Sequence, residues 1–283
     1  MSLHLPATVL EHARAYSEGT ATPAEPRNAA TVVLLREGDR GPDVYLLHRH
    51  ATMAFAAGMC VFPGGGVDPR DFDASVAWSG PSARRWATRL GTDEPTARAL
   101  VCAAVRETFE ESGVLLAGPG HETVVEDTTG PEWEADRVAL ESRDLSLTDL
   151  LVRRGLSLRT DLLGAWSGWL TPEFEPRRFR TWFFVAVLPS GQRTRDVSTE
   201  SQSVRWMSAI EAVEAVEADA LTMLPPTYLT CLEIAQYVGP ADVLAESSSH
   251  EVEMFMPRVV RDGDGAMLTM PERSRALVAA RTS

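Results

Sequence analysis

Apolar and polar positions alternate most clearly from residue 30 onward. The run Ala30-Thr31-Val32-Val33-Leu34-Leu35 is followed, after Glu37-Gly38-Asp39-Arg40-Gly41-Pro42-Asp43, by Val44-Tyr45-Leu46-Leu47. Aliphatic and β-branched runs around a Gly/Pro/Asp connector predict two strands joined by a turn. A third run, Met59-Cys60-Val61-Phe62, stops at Pro63-Gly64-Gly65-Gly66, where proline ends a strand and the glycines let backbone approach a ligand. From residue 81 the period changes to helical. One helix is predicted over residues 81–90. A second follows Thr92-Asp93-Glu94-Pro95, with Ala97, Leu100, Val101, Ala104, Val105 and Thr108 at 3–4 spacing up to Gly113. Residues 118–130 read as loop and 132–152 as partly helical. Strands are predicted again at 164–166, 181–187 and 204–207. Ser208-Ala209-Ile210-Glu211 is a capping box opening a helix, and a further helix is predicted over 227–237, behind Pro225-Pro226. Near the end, the segments 252–260 and 266–270 flank Asp262-Gly263-Asp264-Gly265, a turn that lacks the remaining ligands of a calcium loop.

These elements predict an α/β (α+β) chain of one elaborated domain. Residues 1–28 form a helix and proline-punctuated arm, 29–240 the main domain, and 241–283 a hairpin and tail packed on it. No stretch of the 283 residues approaches a membrane-spanning length of apolar residues, and the first twenty lack the pattern of a secretory signal. Cys60, Cys102 and Cys231 lie far apart without metal spacing and read as reduced thiols, so the expected location is cytoplasmic. Acidic residues outnumber basic ones 40 to 27, a net charge of −13, which speaks against a nucleic-acid partner. Every basic residue is arginine. Lysine catalysis is thereby excluded, and anion recognition falls to arginine, backbone N–H groups or a metal ion.

The chemistry concentrates in Arg106-Glu107-Thr108-Phe109-Glu110-Glu111-Ser112-Gly113-Val114. On a helix, Glu107, Glu110 and Glu111 share one face through i+3 and i+4 spacing. A solvated acidic face costs only about 0.2–0.5 kcal/mol per like-charge pair, so clustering alone does not separate a surface stripe from a cation site. As hard oxygen ligands the three carboxylates suit Mg²⁺ or Mn²⁺ bridging to a phosphate.

The string resembles the second half of the Nudix box, G-x5-E-x7-R-E-U-x-E-E-x-G-U. Arg106, Glu107, Glu110, Glu111 and Gly113 match its fixed positions, and Phe62-Pro63-Gly64-Gly65 matches the usual approach to it. Five fixed matches arise by chance in about one such chain in two thousand. The box is split. Gly65 and Arg106 stand 41 positions apart where the uninterrupted pattern needs 14, so 27 residues are extra. Counting forward from Gly65 puts Asp71 at the first acidic position; counting back from Arg106 puts Arg98 there. A split box resembles the longer Nudix branch that includes peroxisomal coenzyme A diphosphatases. Leu46-Leu47-His48-Arg49 and Gly58 fit the motif that this branch carries, whereas His50 and Ala54 depart from it. Thr171-Pro172 and residues 176–181 add to the likeness.

The resemblance implies a Nudix-type α/β/α sandwich with a mixed sheet and a helical insertion at about 72–95, expected as a surface excursion flanking the pocket. It implies metal-dependent hydrolysis of the pyrophosphate linkage of a nucleoside diphosphate derivative: coenzyme A-like, nucleotide-sugar or dinucleotide. Catalytic roles fall to Arg106, Glu107, Glu111 and Glu200; the resemblance does not place the general base, and Glu200, just ahead of the strand at 204–207, is ranked first for it ahead of Glu173 and Glu175, with Glu107 or Glu111 as the competitor. Metal ligands are Glu107, Glu110, Glu111 and the Gly64 carbonyl. Substrate contacts are Arg49, Gly65, Arg178 and Arg180. The expected partner is a small-molecule diphosphate, without nucleic acid or membrane, and a homodimer is left open. The alternative is a catalytically weak Nudix-fold ligand-binding regulator. His48 and His50 alternate on a strand and cannot share one ion. Trp166, Trp169, Trp182 and Trp206 read as core or pocket wall rather than as a nucleic-acid stacking platform.

Overall fold

The structure is a computed structural model and describes residues 7–19, 22–53, 56–249, 252–262 and 265–282. Strands β1 (Arg27–Arg36), β2 (Asp43–Arg49), β3 (Cys60–Val61) and β4 (Gly64–Gly66) follow helix α1 (Ala7–Ser17). A 3₁₀ turn (Pro69–Phe72), β5 (Trp78–Ser79), α2 (Ala83–Leu90) and α3 (Glu94–Ser112) come next. Then come β6 (Ala117–Gly118), α4 (Pro131–Glu141), α5 (Leu147–Arg154), β7 (Ser157–Arg159), β8 (Leu163–Leu170) and β9 (Phe179–Val187). The chain continues through β10 (Ser201–Ser208), α6 (Ala209–Glu217), α7 (Pro225–Ile234), α8 (Pro240–Glu246), β11 (Met254–Phe255), β12 (Val259–Asp262), β13 (Gly265–Leu268) and α9 (Glu272–Thr282).

The central sheet runs β10-β2-β1-β9-β8-β11, with β3 on β2 and β4 on β1. It is mixed: β1 pairs β9 in parallel and β2 antiparallel. Strands β1, β2, β8 and β9 are buried on both faces over most of their length, and the two-residue period sorts their side chains. Val32, Leu34, Tyr45 and Leu47 point into a core layer with α2, α3 and α5, while Val33, Leu35, Val44 and Leu46 point into a second layer with α6, α7 and α8. The result is the expected α/β/α sandwich with a mixed sheet. Among the described residues no helix is long and apolar enough to cross a membrane.

One edge of β1 is shared by two partners. Leu35 and Arg36 pair with β2, and Ala29, Ala30 and Thr31 pair with Gly66, Gly65 and Gly64. The three-glycine segment is thus stitched into the sheet where β2 has diverged. A Cβ on Gly64 would lie 2.7 Å from Thr31 Cα, so the close approach requires glycine there.

The segment between the box halves corrects an expectation. Instead of a surface excursion, α2 lays Trp86 and Leu90 into the same core layer as α3; Trp86 meets Phe184 edge-on at 5.8 Å. Trp182 Nε1 donates to the Leu90 carbonyl at 3.0 Å. Replacing residues 72–95 by a turn would therefore open the core as well as alter a pocket wall. At the C-terminal end, Arg273 Nε and Ser274 Oγ both donate to Glu233 Oε1, at 3.0 and 2.7 Å, joining α9 to α7. β12 and β13 pair as a hairpin; Gly263 and Asp264 of the expected turn lie outside the described residues. All three cysteines are free and buried.

Candidate active site

Helix α3 starts at Asp93, whose carboxylate accepts from Thr96 N at 2.8 Å, and ends at Gly113 with φ 74°, a left-handed cap. Between these stops the helix is buried on nearly every side, with Val101, Ala104, Val105 and Phe109 fully buried. Packing fixes the rotation of the helix, which delivers Arg106, Glu107, Glu110 and Glu111 together against the glycine segment. The C-terminal turn is held from outside. Arg137 Nη1 donates to the Glu110 carbonyl at 2.8 Å, and Thr128 Oγ1 to the Gly113 carbonyl at 2.6 Å.

Arg106 is the hub. Its Nε and Nη2 donate to the two oxygens of Asp71 at 3.1 and 3.0 Å. Its Nη1 donates to Glu107 Oε1 at 2.8 Å and to Glu110 Oε2 at 3.1 Å, and its Nη2 to the Gly66 carbonyl at 3.0 Å. Asp71 is only 3% exposed. It sits in a capping box with Asp68 that closes the 3₁₀ turn following the glycine segment. The forward count from Gly65 finds Asp71; the backward count from Arg106, which points to Arg98, does not. Glu111 turns the other way and accepts from Gly64 N at 2.7 Å. A Cβ on Gly65 would fall within 2.5 Å of Glu107 Cδ, so bare backbone lies directly against that carboxylate.

The electrostatics are lopsided. Asp71, Glu107, Glu110, Glu111 and Glu200 face two guanidinium groups, Arg106 and Arg49. Burial raises Glu110 to about 7 despite Arg106, with Glu107 adding to the shift. Burial likewise raises Glu107, and it pushes Glu111 well above the ordinary carboxylate range, reinforced by Glu107 and opposed by the Gly64 N–H. Burial opposes the charge on Arg106, but Glu107, Asp71 and Glu110 outweigh it and raise its pKa. Carboxylates desolvated in excess of their counter-charges are a poor arrangement for stability and a good one for a hard cation. Among the described residues no three acidic, imidazole or thiol side chains already converge as a ligand cage. Glu107 and Glu110 are drawn to Arg106 while Glu111 is drawn to Gly64. The donor set, all carboxylate and carbonyl oxygen, fits Mg²⁺ or Mn²⁺ rather than a softer ion.

The remaining expected site residues divide. Arg49 and Glu200 meet at the rim, Arg49 Nη2 donating to Glu200 Oε2 at 2.7 Å, close enough to the helix that Glu200 raises Glu111 and Arg49 lowers it. Arg178 is placed elsewhere: Nη1 donates to the Ala24 carbonyl at 2.9 Å and Nε to the Thr171 carbonyl at 3.1 Å, tying the N-terminal arm to a turn. Arg180 lies opposite Asn28 on β1, two strands from the glycine segment. Glu173 and Glu175 face α1, through Tyr16 and His12. Of the two departures from the branch motif, His50 donates its backbone N–H to the Glu200 carbonyl, and Ala54 lies outside the described residues. His48 Nε2 contacts the Gly58 carbonyl at 3.1 Å. A surface depression of about 410 Å³ lined by Arg70, Phe72, Asp73 and Asp149 lies beside the 3₁₀ turn. None of the carboxylates on α3 lines it, so it is set apart from the chemistry.

Comparison with known proteins agrees with this geometry. A profile of the NUDT19 Nudix domain matches residues 79–234, more than half of the chain. An acyl-coenzyme A diphosphatase NUDT19 of Xenopus laevis is 24% identical over 81% of this chain and 70% of its own length. The human protein of that name is 26% identical over 88% and 80%. A crystal structure of a Nudix hydrolase from Alicyclobacillus acidocaldarius superposes with a TM-score of 0.65 at 26% identity, covering 78% of this chain and 96% of that one. The acidic helix, the glycine segment paired into the sheet and the matched profile lead to one assignment: the chain belongs to the NUDT19 Nudix domain family and is a Nudix hydrolase.

Proposed function

We propose that the protein hydrolyses the pyrophosphate linkage of a nucleoside diphosphate derivative, with acyl-coenzyme A as the first class to test. The observation that carries this reading is the excess of buried carboxylates on α3 set against the backbone of Gly64–Gly66. Water adds to one phosphorus as the bridging P–O bond breaks, leaving two phosphomonoesters. Glu107, Glu110, Glu111 and the Gly64 carbonyl would hold Mg²⁺ or Mn²⁺, whose contribution is to neutralise phosphate charge and make bound water more acidic. Arg106 orients Glu107 and Glu110 while Asp71 fixes Arg106 from behind. Bare backbone at Gly65 lets the Glu107 carboxylate lie directly against the glycine segment. Arg49 contacts substrate phosphate. Glu200 takes the proton from water. The acyl-coenzyme A class rests on what the named relatives act on.

The test is a panel of acyl-coenzyme A, nucleotide sugars and dinucleotides assayed with Mg²⁺ and with Mn²⁺. Turnover of one class with phosphomonoester products supports the reading. Tight binding without turnover would put a ligand-binding regulator in its place. Within that assay, Glu200→Gln should lower kcat by about a hundredfold or more and flatten the acid limb of the pH profile. A drop below about tenfold with the limb intact would return the base to the helix.

A further inference from the structure

Arg49 and Ser201 are directly opposed across the antiparallel strands β2 and β10, so their side chains leave the sheet on the same face. That face is the one covered by α3. Tyr45 and Leu47, at two-residue spacing before Arg49, both lie in the core layer with α3. Two polar atoms at this position are buried and unpartnered: Arg49 Nε and Ser201 Oγ. Both carry an N–H or O–H, and a buried donor without an acceptor bears its full desolvation cost. Among the described residues the side-chain acceptor that the pair has recruited is Glu200, whose Oε2 takes a bond from Arg49 Nη2 at 2.7 Å. Glu200 comes in from solvent: its side chain is 50% exposed against 13% for Arg49. Its backbone is anchored separately, the Glu200 carbonyl accepting from His50 N at 3.2 Å, so the side chain can leave without undoing the strand end.

A guanidinium edge and a hydroxyl with free donors want a ligand with several acceptor oxygens and negative charge. A carboxylate from solvent meets only part of that demand, since it leaves Nε and Oγ unbonded. A tetrahedral phosphate has more acceptor oxygens and suits the fork of arginine. We propose that Arg49 and Ser201 form a phosphate subsite at the rim of the carboxylate cluster, and that Glu200 fills it in the free protein as an internal substitute which the substrate displaces. The proposal rests on the diphosphate reading above and deepens it. Displacement has a mechanical consequence: phosphate arrival releases the Glu200 carboxylate from Arg49, so the group assigned to take the proton becomes free only when a substrate is seated.

The test is a double-mutant cycle on binding, read by calorimetry with inorganic pyrophosphate in metal-free buffer, which needs no turnover. Removing a competitor should help: Glu200→Gln is expected to tighten pyrophosphate by about fivefold or more, because it frees Arg49 of the carboxylate that now occupies it. Arg49→Gln should weaken it by about tenfold or more, and Ser201→Ala by about threefold, with unchanged thermal unfolding in the serine variant. In the Arg49→Gln background, Glu200→Gln should change affinity by less than about twofold, because nothing is left to compete for. Equal tightening by Glu200→Gln in both backgrounds would mean plain charge repulsion and overturn the displacement. Unchanged affinity in Arg49→Gln and Ser201→Ala, or no pyrophosphate binding in any form, would overturn the subsite. Pyrophosphate binding that depends on both residues, in a protein that cleaves no diphosphate, would keep the subsite and overturn the diphosphate reading instead.

Discussion

The two halves of the split box reach the same cluster by different physics. The helix half, Arg106 to Gly113, is local: one periodic segment, capped at both ends, carries all its acids on one face once α3 is packed. The loop half, Gly64 to Asp71, has little regular structure of its own and is placed by others. β1 takes its glycines into the sheet, and Arg106 takes its aspartate. The 41 positions between Gly65 and Arg106 are bridged by one buried guanidinium that touches both halves. Distance along the chain thus costs the site little so long as a sheet edge and an ion pair restore the register. The helix half supplies charge; the loop half supplies backbone and the counterweight that holds Arg106 still.

The largest effect expected from breaking that division is on the helix. Glu110→Gln and Glu111→Gln should each lower metal-dependent turnover by about a hundredfold or more while thermal unfolding without metal is unchanged or raised, since each replaces a carboxyl whose charged form burial disfavours. Steady-state kinetics across Mn²⁺ concentrations, with a melting curve, checks both parts. On the loop side, Gly65→Ala should cost about tenfold or more, because its Cβ would displace the Glu107 carboxylate rather than disturb the core. A kinetic defect without a matching loss of melting temperature is the outcome to look for. Asp71→Asn is milder. It keeps a hydrogen-bonding partner for Arg106 but removes the charge, and Mn²⁺ affinity measured by titration should fall by about tenfold.

The smallest effect is on stability. Glu110 is raised to about 7, and Glu107 and Glu111 are raised as well, so between about pH 5 and pH 7 the folded state binds more protons than the unfolded chain. Stability contributed by these protonated groups is present at low pH and is lost as pH rises through the folded values. In chelator, the melting temperature should therefore fall by a few degrees from about pH 5 to about pH 8. Mn²⁺ should restore it, and more strongly at the higher pH. A melting temperature that rises over this range in chelator would mean that the cluster is not strained by its own charge.

The segments that become β1, β2, β8, β9 and β10, the boundaries of α2 and α3 and the capping box at Ser208 were legible in the chain, because each is set by neighbours within a few residues; the order of the strands in the sheet was not. So was the acid-bearing face of α3, since i+3 and i+4 spacing is a property of any helix. Asp71 was legible only as a count from Gly65; its burial against Arg106 depends on a partner 35 positions away. Arg178 shows the reverse error. Among Arg177, Arg178 and Arg180 a basic run reads as phosphate contact, but which arginine faces a backbone carbonyl depends on where the arm at Ala24 passes.

What the chain alone determined is therefore whatever a short window encodes: period, caps, turns, the sign of the charge and the identity of the acids. Tertiary structure decided what those groups meet. It buried α2 where a surface excursion was expected, because the amphipathic face of Trp86 and Leu90 found the sheet. It turned Glu111 toward Gly64 and Glu110 toward Arg106, and it set Glu200 on Arg49 across two strands. The Glu111–Gly64 and Glu200–Arg49 pairings join residues far apart in sequence, and their energy comes from desolvation and partner geometry, which no local pattern records.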